Sequence, residues 1–296
     1  MNTPGPLICV VGQTATGKSH LAIKLALKWD GEIICADSWT VRKHMDIGSA
    51  KPDKSDQLLV KHHLLDVVEP NDNFNAALFK KLALEKIDEV LLRGKIPFLV
   101  GGTGLYIDSV IYDYSFAITG TLAQRDYLNK LTIEELLEKT SFDGIDTSGV
   151  DVRNKRRLIR LIETNGYIPT KNGLRKNTLI IGIRADSNKK SYTIEDRVNL
   201  MLQQGLENEV KGLVDAYGWE AEGMRGIGYS QWHEYFLGHE NIDQVRKNIV
   251  QATKNLSKRQ MTWFKRNKSI HWFDNPVKST SIEDLITTFL STDISI

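Results

Sequence analysis

Eight residues near the N-terminus have the types and spacing of a phosphate-binding loop. Residues 12–19 fit the pattern G-x-x-x-x-G-K-[ST] at every fixed position and lie between an apolar run and a helical one. Backbone N–H groups freed by the glycines can wrap a phosphate, and the lysine adds a full charge. We predict a polyphosphate site, with Mg²⁺ on Ser19, formed by Gly12, Gln13, Thr14, Ala15, Thr16, Gly17, Lys18 and Ser19.

A carboxylate, Asp37, directly follows the next apolar run of the chain. A phosphate loop alone favours an ATP-dependent kinase or ATPase, in which a carboxylate at a strand end would hold the metal. Such a carboxylate could also accept a proton as a general base. The third apolar run ends in Gly101-Gly102-Thr103 without a carboxylate, which departs from the kinase pattern. His62 and His63 are adjacent and have no Cys or third His near them, so we assign them no metal.

Short apolar runs predict the strands that position these residues. Residues 7–11 and 96–100 are uninterrupted apolar runs, residues 32–36 are apolar after Glu32, and helical patterns over 20–29 and 74–93 alternate with these runs. This alternation indicates a parallel sheet covered on both faces. We predict an α/β fold with a P-loop NTPase-like parallel sheet core flanked by helices.

The strand pattern disappears between residues 115 and 174, where helical stretches are separated by glycine and polar residues. An apolar run returns at 178–183, and the rest is mostly helical. We therefore predict a core formed by residues 1–114 and 175–296, with an inserted helical subdomain over 115–174.

The composition is that of a globular protein from a reducing compartment. Of 296 residues, 41% are hydrophobic and 26% are charged, which excludes collagen-like, disulfide-framework and disordered classes. Both cysteines fall in apolar runs. Neither a secretory signal nor an apolar stretch of spanning length is visible, so we expect a cytoplasmic protein without a membrane partner.

Basic residues are segregated although the net charge is only +2. Residues 246–268 contain eight basic and no acidic residues, and a second cluster joins 153–157 to Arg160. Each cluster alone could be a solvated helix face, whereas two together favour binding to a phosphate backbone. Arg259 falls at the apolar spacing between Leu256 and Trp263, so we predict that it points inward to the site.

Several separated motifs together resemble the tRNA dimethylallyltransferases. They follow the family order over almost the whole chain: residues 12–19, 37–38, 45–52, 62–66, 69–70, 100–106, Arg197 with Met201, 205–206, 228–229 and 257–264. The resemblance implies transfer of a dimethylallyl group from dimethylallyl diphosphate to the exocyclic amine of the adenosine next to the anticodon. It implies Mg²⁺ as cofactor and a tRNA anticodon stem-loop as partner, and we expect a monomer.

The resemblance also assigns roles to residues. Asp37 would be the general base, Lys18 and Arg197 would hold the diphosphate, and Thr103 would donate to the bridging oxygen. The family pattern has Gln and Tyr where this chain has Thr40 and Arg42, and residues 115–150 form a shorter segment than usual. The tRNA-contact positions, with the basic helix added, are Asp37, Ser38, Trp39, Thr40, Arg125, Arg156, Arg157, Leu158, Ile159, Arg160 and Arg259.

Three other functions remain open from the residues. A P-loop kinase of a small metabolite would use the loop but neither the basic helix nor Gly101-Gly102-Thr103. A prenyltransferase acting on free adenine nucleotide would not need the basic clusters. An RNA-binding switch controlled by nucleotide would not need the carboxylate at the strand end.

Overall fold

All the strands that the structure describes lie parallel in one sheet. The computed structural model describes residues 4–117, 120–185, 193–275 and 279–292. The strands are β1 (Leu7–Gly12), β2 (Gly31–Cys35), β3 (His62–His63), β4 (Ile96–Gly101), β5 (Thr178–Ala185) and β6 (Ile270–Asn275). Their order across the sheet is β3-β2-β4-β1-β5-β6.

The central strands are buried on both faces, as their apolar sequences require. Every residue of β1 and β2 is buried, and so are the last five residues of β4. In register, Ile8 of β1 lies opposite Phe98 of β4 and Leu179 of β5. The parallel, helix-covered sheet confirms the predicted α/β class with a P-loop NTPase-like core.

The register brings three strand ends together. Val11 at the end of β1 pairs with Gly101 of β4, and Cys35 at the end of β2 pairs with Val100 of β4. The segments that follow these strands therefore leave the same edge of the sheet, where ligands of open parallel sheets bind.

Helices cover both faces of this sheet and form an additional lobe. They are α1 (Lys18–Lys28), α2 (Lys54–Leu59), α3 (Ala76–Leu92), α4 (Gly104–Ile111), α5 (Leu122–Lys130), α6 (Ile133–Phe142), α7 (Lys155–Glu163), α8 (Ile194–Gln203), α9 (Leu206–Tyr217), α10 (His233–Phe236), α11 (Ile242–Phe264) and α12 (Ser279–Thr292). A second core joins α8, α9 and α11 around Tyr229 and Trp232. Within the described ranges, no helix is long and apolar enough to cross a membrane.

The chain divides into two compact units. The larger comprises Met1–Ile111 with Leu174–Ile296, and the smaller is Tyr112–Gly173. The smaller unit contains α5, α6 and α7, which pack around their own apolar cluster of Leu128, Leu136, Leu158, Ile159 and Ile162. Thr132 caps the N-terminus of α6 and forms a reciprocal capping box with Glu135.

Candidate active site

The phosphate loop adopts a conformation that its sequence makes accessible. Gly12 has φ +150°, and a Cβ there would lie 2.2 Å from the Ile183 carbonyl oxygen. Ala15 and Gly17 are left-handed, with φ of 61° and 74°. Thr16 Oγ1 donates to the Gln13 carbonyl at 2.8 Å, and α1 begins at Lys18, within the last two residues of the loop motif. A turned loop that leads into a helix N-terminus is a site for an anion.

Helix α11 holds the loop from the other side. Gln260 is buried, its Oε1 accepts from the Thr14 amide at 2.8 Å, and Gln13 Nε2 donates to the Ser257 carbonyl at 3.4 Å. Gly102 permits this approach, because a Cβ there would lie 2.3 Å from Gln260 Nε2. Sequence reasoning missed Gln260, although it lies seven residues after the buried Thr253 and four before the buried Phe264.

Arg259 does not point into the site, which corrects the prediction made from its spacing. Its side chain is exposed, whereas its neighbour Gln260 is buried. The prediction took Leu256 and Trp263 as the centre of the buried face. That face is centred about one residue further along the helix, on polar Thr253 and Gln260.

Asp37 leaves the end of β2 with its carboxylate fixed by a local turn. Its Oδ1 accepts from the Trp39 amide at 2.9 Å, and no hydrogen bond to Oδ2 is present among the described residues. The Ser38 amide donates to Thr103 Oγ1 at 3.3 Å, and the Thr103 amide donates to the Ala36 carbonyl at 3.3 Å. The acid and Thr103 are thereby held at adjacent strand ends.

Residues of the loop and the Asp37 carboxylate line one cavity of about 110 Å³. Its polar wall includes Thr14, Lys18, Ser19, Asp37 and Arg197, and its apolar wall includes Trp39, Val198, Met201, Ile227, Ile249 and Leu256. A second cavity of about 670 Å³ opens on Lys18, Ser19 and Arg197 as well. Residues of the phosphate loop thus line two cavities, and Asp37 lines one of them.

Two cations converge on the loop. Arg197 Nη1 donates to Thr14 Oγ1 at 2.7 Å, and Lys18 Nζ donates to the Gln13 carbonyl at 3.2 Å. Burial lowers the pKa of Lys18 to about 8, and repulsion from Arg197 adds to this, against an opposing attraction to Asp37. An anion bound between the two side chains would relieve that repulsion.

The residues after Asp37 form a buried turn. The Trp39 ring packs against Gly226, and the Arg42 guanidinium carbon lies 5.8 Å from the ring centroid. Arg42 is 3% exposed, and its Nη1 donates to the carbonyls of residues 69, 70 and 72. Thr40 is 6% exposed and lines the cavity, and its Oγ1 has no partner in the part of the chain described. Of the two positions that depart from the family pattern, Thr40 therefore faces the cavity, whereas Arg42 binds backbone carbonyls in the protein interior.

The side chains of the adjacent residues His62 and His63 point to different partners. His62 Nδ1 lies 2.7 Å from the Val60 carbonyl oxygen, whereas His63 Nε2 lies 2.6 Å from Glu32 Oε2. Glu32 also accepts from Arg93, so His63 belongs to a structural ion-pair group. Burial lowers the pKa of both imidazoles.

In the smaller unit, the residues assigned to tRNA contact have unequal access. Arg156 and Arg157 are exposed. Arg125 pairs with the buried Glu163 at 2.5 Å, and Arg160 donates to the Ala117 carbonyl at 3.2 Å.

Leu158 and Ile159 are 0% and 1% exposed. Contact through these two side chains was a wrong prediction, because they form the core that supports α7.

Comparison with known proteins gives a consistent result over most of the chain. The family model described as IPP transferase matches residues 40–267. A tRNA dimethylallyltransferase of Acetivibrio thermocellus is 38% identical over 288 residues, covering 90% of this chain and 91% of that protein. The Bacillus subtilis tRNA dimethylallyltransferase is 35% identical, with 92% of each covered.

A solved structure agrees with the sequence matches. The tRNA isopentenylpyrophosphate transferase of Bacillus halodurans superimposes with a TM-score of 0.76 at 31% identity and covers 98% of both chains. Because both the family model and relatives above 30% identity extend over most of its length, the chain belongs to the tRNA dimethylallyltransferase family of IPP transferases.

Proposed function

We propose that this protein transfers a dimethylallyl group from dimethylallyl diphosphate to the exocyclic N6 amine of the adenosine that follows the anticodon in tRNA. A bond forms between N6 and C1 of the prenyl group, while the bond from C1 to the bridging oxygen breaks. Diphosphate leaves with the bonding electron pair, and the N6 proton passes to a base. No ATP is consumed.

One observation carries the proposal. The cavity at the phosphate loop is lined by the cations Lys18 and Arg197, by Asp37, and by apolar side chains of α8 and α11. Cations suit a departing diphosphate, and apolar side chains suit a five-carbon isoprenoid. A kinase would place the polar acceptor of a phosphoryl group there, where this wall offers Val198, Met201 and Ile249.

Negative charge gathers on the leaving group in the transition state, so preorganised donors there lower the barrier most. The loop amides, Lys18 and Arg197 supply them. Thr103 Oγ1 already accepts from the Ser38 amide, so its own hydrogen can be donated. That arrangement supports the proposed hydrogen bond from Thr103 to the bridging oxygen.

The residues present also fit Mg²⁺, which prefers oxygen ligands and retains phosphate oxygens and waters in its shell. The Ser19 hydroxyl and the Asp37 carboxylate both line the cavity. When bound, the ion would neutralise part of the diphosphate charge. We propose Ser19 as its protein ligand.

The acceptor amine is a poor nucleophile because its lone pair is conjugated with the purine. A carboxylate that takes its proton as the bond forms would raise its reactivity. We propose that Asp37 does so, using Oδ2, since Oδ1 is engaged by the Trp39 amide. The adenosine must leave the stack to enter a pocket, at a cost of a few kcal/mol, which is least in a single-stranded loop.

We propose that the tRNA backbone is bound by the exposed basic side chains, among them Arg156, Arg157 and Arg259. Ser38, Trp39 and Thr40 would contact the acceptor nucleotide near the cavity. The protein would act as a monomer in the cytoplasm, where thiols such as the buried, unpaired Cys9 and Cys35 persist.

The deciding experiment incubates the protein with radiolabelled dimethylallyl diphosphate, Mg²⁺ and unmodified tRNA, without ATP. We expect label in the tRNA at the adenosine after the anticodon, and none in AMP supplied instead. Labelling of AMP would indicate the nucleotide prenyltransferase, and transfer of phosphate from ATP to a small molecule would indicate the kinase.

A further inference from the structure

Glu209 makes contacts that the proposed reaction does not explain. It lies in the first turn of α9 and is half-buried. Its Oε2 accepts from the amides of Asp46 and Ile47 at 3.0 and 2.8 Å, and its Oε1 accepts from the Gly48 amide at 3.0 Å. One carboxylate thus accepts from three consecutive backbone N–H groups.

A fourth donor connects this carboxylate to the second core. The hydroxyl of Tyr229, which is fully buried, donates to Glu209 Oε1 at 2.8 Å. The tyrosine ring lies directly on Gly48, where a Cβ would come within 2.6 Å of its Cζ. Burial, and then the nearby Glu209 charge, raises the pKa of Tyr229, so the hydroxyl keeps its proton and remains a donor.

The segment that these contacts hold is a wall of both cavities. Gly48, Ser49 and Ala50 line the cavity that contains Asp37, and Ala50 also lines the larger one. Ser19 and Arg197, on other elements, line both cavities too. Residues 46–50 lie outside the helices and strands, and residues 47–50 form turns. Their position therefore depends on side chains such as Glu209.

We propose that Glu209 is a positioning residue that fixes residues 46–50 as a wall of the cavity that contains Lys18, Arg197 and Asp37, and thereby sets the affinity for the prenyl diphosphate. This inference rests on the proposed function. Asp37 is held separately, by the end of β2 and the Trp39 amide, so the chemical step should be largely unaffected. Binding of tRNA through exposed basic residues should be unaffected as well.

The test is Glu209→Gln, which keeps the size but replaces one acceptor oxygen by a donor facing backbone N–H groups. Loss of the charged acceptor weakens the hydrogen bonds that hold residues 46–50, so the KM for dimethylallyl diphosphate should rise about tenfold or more. We expect kcat and the KM for tRNA to stay within about twofold, since neither depends on this wall in the proposal.

Glu207→Gln is the matched control. Glu207 lies in the same helical turn and is exposed, and it accepts from the Tyr235 hydroxyl at 2.9 Å instead of from residues 46–50. It loses the same charge near the same helix N-terminus. Equal donor KM values in the two variants would overturn the proposal, and so would a tRNA KM that rises with the donor KM in Glu209→Gln.

A binding measurement separates this inference from the proposed function. The Kd of Mg²⁺-diphosphate, measured by calorimetry, should rise about tenfold in Glu209→Gln and not in Glu207→Gln. If the wild-type protein transfers no prenyl group, the proposed function fails while this comparison still decides the role of Glu209.

If Glu209→Gln does not fold, Tyr229→Phe decides instead. It keeps the ring on Gly48 and removes one of the four donors, so the Kd of Mg²⁺-diphosphate should rise about two- to threefold. An unchanged Kd in that variant would overturn the proposal.

Discussion

Gln260 Oε1 accepts a hydrogen bond from the Thr14 amide at 2.8 Å, so a residue 246 positions further along the chain completes the phosphate loop. A Cβ on Gly102 would displace the same side chain, so the close approach of α11 to the end of β4 requires glycine at this position. The loop, the end of β4 and α11 therefore behave as one unit, and a change in Gln260 should be felt by the diphosphate.

We predict that Gln260→Leu weakens binding of Mg²⁺-diphosphate about tenfold. Leucine is similar in size but leaves the buried Thr14 amide without an acceptor, which costs about 1–3 kcal/mol. Calorimetric titration measures the Kd. The control is Gln251→Leu, the same change at an exposed position of the same helix; if both variants bind equally, the Gln260 side chain does not shape the loop.

We predict that Asp37→Asn lowers turnover about 10²-fold or more while the Kd values for donor and tRNA stay within about twofold. Asparagine retains an oxygen that can accept from the Trp39 amide, so the turn persists, but it cannot accept the proton. Single-turnover rates at saturating donor and tRNA measure the effect. Turnover close to that of the wild type would remove Asp37 from the role of base.

The sequence was sufficient for the sheet core and the phosphate loop, because both are local patterns. The apolar runs that became β1, β2 and β4 and the loop from Gly12 to Ser19 needed no distant information. Gln260 and Glu209 could not be predicted in this way. Each is a polar residue whose partner is a backbone amide far along the chain, so nothing in its neighbourhood shows what it binds.

The error at Leu158 and Ile159 has a different cause. The resemblance assigns the five consecutive residues 156–160 to tRNA contact, but successive helical residues are rotated by about 100°, so they cannot all share one exposed face. In α7 the exposed Arg156 and Arg157 precede two residues that form the unit's core. The basic cluster could be found from sequence, and the apolar character of Leu158 and Ile159 at helical spacing already separates them from its accessible members.

Donor binding should weaken as the pH rises through about 8. Lys18 binds an anion in its charged form, and burial together with Arg197 lowers its pKa to about 8. The favourable charge is therefore present below that pH and is lost above it. A lysine in water keeps its charge up to a pH of about 10.4. The Kd of dimethylallyl diphosphate, measured from about pH 6.5 to about pH 9.5, spans this transition on both sides.

Arg197→Gln provides the internal check on that assignment. Removing the neighbouring cation takes away one cause of the lowered pKa, so the alkaline loss of affinity should move to higher pH even though affinity is lower throughout. If donor affinity is lost at the same pH in Arg197→Gln as in the wild type, a group other than Lys18 titrates.

Charge reversal of Arg156 and Arg157 to Glu should weaken tRNA binding and flatten its salt dependence. Both side chains are exposed on α7, and each phosphate that the variant no longer neutralises reduces the slope of log K against log salt by about 0.7 to 0.9. The Kd for the donor should not change. Filter binding of unmodified tRNA at several salt concentrations gives the slope.

The matched control reverses Lys24 and Lys81, two exposed lysines on α1 and α3, and changes the net charge by the same amount. If affinity depended only on overall charge, both double variants would lose it equally. If the α7 cluster binds phosphates, only its reversal lowers the slope. An identical slope in the wild type and the Arg156/Arg157 variant would assign that cluster to the solvated surface of the insertion.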